Sequence, residues 1–153
     1  ILLIPIAMKF FGIKKVMLIA MFAWVFRFGL FGAGDPGSGV WMLILSMVVY
    51  GVAFDFFNIS GSLYVNQRTS GKIQNSAQGL FMLMTNGIGA TIGTLSAQAV
   101  VNKFTHTMDT TAGTYMVGDW STVWYIFAGY ALVVAILFMI LFKEPKDSTQ
   151  KIA

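Results

Sequence analysis

The stretch Tyr50-Gly-Val-Ala-Phe-Asp-Phe-Phe-Asn-Ile-Ser-Gly-Ser62 decides how this chain is read. It carries an acid, an amide, two serine hydroxyls and four aromatic rings. Yet it lies inside an apolar block that runs from Val40 to about Val65. As a helix that block is roughly 39 Å long at 1.5 Å per residue. A bilayer core of about 30 Å is crossed by such a helix with some tilt. Asp55 therefore stands where an ordinary lipid-facing helix has no carboxylate.

The rest of the chain has the same character. Of its 153 residues, 57% are hydrophobic and 10% charged, against about 25% charged in a typical soluble domain. The mean hydropathy is +0.75. Further apolar blocks run over residues 16–33, 79–101 and 120–142, with a short one at 1–8. Blocks of this length predict membrane-spanning helices, whereas a transmembrane barrel would show short alternating segments. The expected fold class is an all-α integral membrane protein with four complete transmembrane helices plus the end of a fifth. Residues 1–8 are too short to span and lack the features of a signal peptide. They read as the inner end of a helix that begins upstream, so the chain is expected to be the C-terminal part of a larger protein.

The connections carry the topology. Lys9-Phe-Phe-Gly-Ile-Lys14-Lys15 reads as a short basic loop, and Gly34-Asp-Pro-Gly-Ser-Gly39 as a turn. Asn66–Gln78 is a polar connection, Asn102–Asp119 a polar loop, and residues 143–153 a charged tail. Connections alternate sides. Lys9, Lys14, Lys15, Arg68, Lys72, Lys143, Lys146 and Lys151 then share one face, eight of the ten basic residues. By the positive-inside rule that face is cytoplasmic. The net charge of +4 is explained this way, without nucleic acid as a partner. The chain has no cysteine, hence no disulfide framework and no thiolate metal site.

Asp55 is the leading candidate for chemistry. Intramembrane acids mark substrate, proton or ion pathways. Burial favours a protonated carboxyl and a nearby cation an ionised one; a carboxyl between the two takes up and releases protons. Arg27, inside the 16–33 block, lies at a similar counted depth, which makes it an ion-pair or gating partner for Asp55. Tyr50 and Phe54 are four apart and share a helix face. Asn58 continues that side, and Asn86 lies in the next block. Rings beside an acid and an amide suit a flat ligand that stacks and hydrogen-bonds. Gly89-xxx-Gly93 has the spacing of a close-packing motif. His106 reads as a solvated loop residue. No nucleophile–base arrangement, metal cluster or phosphate-cradling loop is present, so neither an enzyme nor a cofactor is expected.

Several strings together resemble a known family. They are Phe11-Gly-Ile-Lys14, Arg27-Phe-Gly-Leu-Phe31, Gly34-Asp-Pro-Gly37, the Tyr50 stretch through Leu63, Ser76-Ala-Gln-Gly-Leu-Phe-Met82 and Thr85-Asn-Gly87. The chain resembles the C-terminal part of the bacterial nucleoside:proton symporters of the major facilitator superfamily, from the end of helix 8 through helix 12. The resemblance implies a twelve-helix transporter whose two halves enclose a nucleoside site. It implies that Tyr50 and Phe54 bind substrate and that Asp55 couples protons. It also implies a multi-pass protein of the bacterial inner membrane, with a cytoplasmic C-terminus, whose N-terminal half supplies the rest of the site. Two alternatives remain at this point: a facilitator for another small polar solute (sugar, organic acid or drug), and a non-transporting membrane subunit in which Asp55 and Arg27 form a structural pair.

Overall fold

The structure, a computed structural model, describes residues 3–143. Ile1, Leu2 and the tail 144–153, with Lys146 and Lys151, lie outside the described residues. In chain order the elements are α1 (Leu3–Ala33), α2 (Val40–Arg68), α3 (Gln74–Met82), a π-helical segment (Leu83–Gly89), α4 (Ala90–Phe104), strands β1 (Thr105–Thr110) and β2 (Gly113–Gly118), and α5 (Trp120–Leu141). Four helices are long and apolar enough to cross a membrane: Ile6–Ala33, Val40–Arg68, Gln74–Phe104 and Trp120–Leu141. The fold is that of an all-α integral membrane protein.

The stretch expected as a basic loop, Lys9–Lys15, is helical on both sides of one residue. Gly12 has φ 76° and ψ 163°, a conformation essentially closed to residues with a Cβ. One glycine makes the break, because the flanking residues are compatible with helix and include no proline. The remaining 13–33 segment is about 32 Å long, enough to span. Ile4 and Met8, before the break, share a buried cluster with Ile13, Val16 and Met17 after it. Phe57 and Leu63 of α2 and Phe138 of α5 pack on that cluster.

α1 is the central helix, packed on α2 along one side and on α5 along another. The α1–α2 turn is tight. The Gly37 amide donates to Asp35 Oδ1 at 2.6 Å, and a Cβ on Gly39 would lie 2.7 Å from the Asp35 backbone nitrogen. The helix from Gln74 to Phe104 stands apart, with no buried residue in α3, the π segment or α4. Nothing approaches within 4 Å of a Cβ built on Gly93, so the Gly89–Gly93 spacing packs no second helix among the described residues.

Two junctions hold that helix. At its start, an amide cluster ties it to α2. Gln78 Nε2 donates to the Ser62 carbonyl at 2.7 Å and to Asn66 Oδ1 at 2.7 Å. Gln74 Nε2 donates to Asn66 Oδ1 at 3.0 Å. Buried Gly61 lets the Phe81 ring lie against α2, 2.5 Å from where a Cβ would stand. At its far end, residues 105–118 form an antiparallel hairpin, Thr105 opposite Gly118 and Thr110 opposite Gly113. This corrects the expected polar loop. Thr105, Thr107, Thr110, Thr114 and Val117 favour extended backbone, and Gly113 supplies a φ of 135° next to the turn. Asp119 then caps α5. The Thr122 amide donates to its Oδ1 at 2.9 Å and the Thr122 hydroxyl to its Oδ2 at 2.5 Å.

Two outcomes are expected. Gly12→Ala forces a Cβ into that strained conformation and should cost about 1–3 kcal/mol, read as a lower unfolding midpoint of the detergent-solubilised protein. An unchanged midpoint would mean that the helix does not break at Gly12. The second outcome concerns Asp119. The hydroxyl and amide of Thr122 hold its carboxyl below the usual carboxylate range. A lowered folded-state pKa contributes stability above the unfolded-state value, lost as pH falls through the folded value. Asp119→Ala should therefore lower the thermal midpoint at neutral pH, and the difference from wild type should vanish in strong acid.

Candidate functional site

Arg27 lies on α1, Tyr50, Phe54, Asp55 and Asn58 on α2, and Asn86 on the π segment. On α2, Tyr50 and Phe54 are one turn apart, with ring centroids 5.7 Å apart and planes 39° apart. They are 40% and 43% exposed respectively, so their rings are open to a ligand. Asp55 follows Phe54 directly, about 100° further round the helix, and is half-buried. Asn58 also keeps this side, but its Nδ2 donates to the Phe54 carbonyl at 2.9 Å. That bond occupies part of its donor capacity on its own helix and leaves the side-chain oxygen free. Asn86 is exposed on the π segment.

Arg27 does not pair with Asp55. Its guanidinium lies 4.4 Å from the centroid of the Tyr50 ring. Trp24, Phe31 and Phe28 follow at 5.1, 5.3 and 5.9 Å. Its Nε is buried without a hydrogen-bond partner. The expected pair assumed that the ends of α1 and α2 are level. The contacts give a different offset: Arg27 meets Tyr50, and Asp55 lies five residues further along α2, about 8 Å away along the axis.

Trp24 is a member of the site that sequence reasoning missed. It meets the Tyr50 ring edge-on at 5.6 Å. The signal was present: Trp24, Arg27, Phe28 and Phe31 recur at the three- and four-residue steps that place side chains on one helix face. Their cluster continues into α5, where Trp124 stacks on Phe31 at 4.7 Å. A Cβ on Gly32 would lie 3.0 Å from the Tyr125 ring, so a glycine lets α5 approach α1 here. His106 is exposed on β1. Among the described residues no cluster of His, Cys, Asp or Glu fits a metal ion.

A half-buried acid, an open pair of rings and a ring-bound cation on apolar spanning helices define a polar site within a membrane-spanning fold. With four helices long and apolar enough to cross a membrane, the chain is of the class of multi-pass membrane proteins. The chain belongs to the nucleoside H+ symporter family, whose model matches residues 1–147. It is 51% identical over 148 residues to the xanthosine permease of Escherichia coli K12, covering 96% of this chain and 34% of that protein. It is 49% identical over 144 residues to the nucleoside permease NupG of the same organism, covering 94% and 32%. The putative nucleoside transporter YegT, also from that organism, is 30% identical over 145 residues, covering 94% and 34%. The chain thus spans about a third of the length of the curated relatives it matches. No solved structure matches it significantly.

Proposed function

We propose that the full-length protein imports nucleosides across the bacterial inner membrane in symport with protons, and is not an enzyme. The chain here would form helices 9 to 12 and the end of helix 8 of a major facilitator fold. The remaining helices would complete the site. The observation that carries this reading is the open Tyr50–Phe54 ring pair beside Asp55, in a chain of the nucleoside H+ symporter family. The relatives, two permeases and a putative transporter of nucleosides by name, favour this solute over a sugar, an organic acid or a drug.

The mechanism follows from the positions. A nucleobase offers a flat face and a polar edge. Tyr50 and Phe54 provide ring surface for the face, and the Tyr50 hydroxyl a hydrogen bond for the edge. Among the described residues no cation pairs with Asp55, and Arg27 lies at Tyr50 instead. A carboxylate inside a membrane is costly unless paired or neutralised. Uptake of a proton neutralises Asp55 and lets the loaded protein turn over. Release of proton and nucleoside on the other side completes alternating access around a midplane site. With the basic connections in the cytoplasm, Tyr50 and Phe54 lie on the outer side of Asp55. Substrate from outside then reaches the rings before the acid.

Asp55→Asn in the full-length protein should abolish uphill nucleoside uptake into proteoliposomes carrying an imposed proton gradient. Uptake that still follows the gradient contradicts the coupling role. Orientation has its own check. A single cysteine replacing Lys72 should react with an impermeant maleimide only from the cytoplasmic side, and one replacing His106 only from the outside.

A further inference from the structure

Arg27 is a permanent cation at the level of the substrate rings, yet the coupling scheme gives it nothing to do. Its surroundings are aromatic. Four rings from α1 and α2 lie within 6 Å of the guanidinium, with Tyr50 the nearest at 4.4 Å. Its buried Nε has no hydrogen-bond partner. Ring faces, rather than an acid, therefore hold the charge, an attraction that strengthens when the cation is desolvated.

We propose that Arg27, braced by Trp24, positions the Tyr50 ring and so sets the affinity of the site for nucleosides. The proposal rests on the reading of Tyr50 as a stacking surface. Among the groups that touch Tyr50 are the Arg27 guanidinium, the Trp24 ring edge-on at 5.6 Å, and the Phe54 ring at 5.7 Å. Two of these come from the neighbouring helix. A half-exposed tyrosine without them would be free to change rotamer, and its ordering would be charged against ligand binding. Braced, the ring waits in one orientation. Its contact with the cation also takes up part of the ring surface on which a base would stack. Arginine suits this task better than lysine. Its planar, weakly hydrated guanidinium stacks on aromatic faces, while an ammonium keeps its water.

The test is nucleoside binding and transport by the full-length protein in proteoliposomes, using uridine and adenosine. Arg27→Met should raise Kd and KM about tenfold, equivalent to about 1.4 kcal/mol, with the maximal rate and proton-driven accumulation near wild type. Arg27→Lys should fall between the two. In a Tyr50→Leu background, Arg27→Met should add less than about twofold, because the residue it positions is gone. If Arg27→Met does not reach the membrane, Arg27→Lys carries the same comparison in both backgrounds. Unchanged Kd in both Arg27 variants overturns the proposal. So do losses that multiply in the double variant, or lost accumulation with Kd intact, which is the mark of a coupling residue. If Tyr50→Leu alone binds as wild type does, the stacking reading falls and this proposal falls with it. Normal loss in Tyr50→Leu with none in the Arg27 variants removes this proposal alone.

Discussion

The guanidinium of Arg27 and the rings around it are the contact on which the middle of this structure depends. A charged side chain within a membrane-spanning helix is costly without a partner. The partner here is not a carboxylate but four aromatic faces, two of them belonging to Trp24 and Tyr50. One consequence is mechanical, since the cluster joins α1 to α2 and continues through Phe31 and Trp124 into α5. The other is chemical. With Arg27 engaged at Tyr50, no cation among the described residues pairs with Asp55. The acid is thereby released from structural pairing for the proton coupling proposed for it.

Around that contact the packing is uneven. α1 lies between α2 and α5, and the buried residues gather near the Gly12 break and along α1. The helix from Gln74 to Phe104 is fastened at its two ends instead. A part-buried amide cluster of Gln74, Gln78 and Asn66 holds one end, beside the Phe81 ring packed at Gly61. The hairpin and the Asp119 cap hold the other. Between them lies the π segment, Leu83–Gly89, with Gly87 and Gly89 inside it. The hydroxyls of Thr85 and Thr91 donate to the carbonyls of Phe81 and Gly87 at 2.8 and 2.9 Å, supplying partners where the regular helix ladder is interrupted.

Much of this is legible in the residues. Apolar block length places three of the four helices to within about five residues, because lipid imposes that constraint over long stretches, whereas the first runs from Ile6 instead of residue 16. The Tyr50–Phe54 pair follows from a four-residue spacing, a property of one helix. What spans two helices is harder. The Arg27–Asp55 pair was expected from depths counted from the helix ends. Helices of unequal length slide along one another, and an offset of one or two turns trades an ion pair for a ring contact. The break at Gly12 and the hairpin at 105–118 were hidden for another reason. A lone glycine amid lysines and a threonine-rich run are compatible with loop, and only the backbone conformation distinguishes the outcomes.

The account turns on where the base sits. Photo-crosslinking answers that most directly, with 5-iodouridine or 8-azidoadenosine bound to the full-length protein and the adduct mapped by mass spectrometry. The expected result is an adduct on Tyr50 or Phe54 that excess unlabelled nucleoside suppresses. An adduct that the nucleoside suppresses equally well, but that lies on other helices with Tyr50 and Phe54 unmodified, would contradict it.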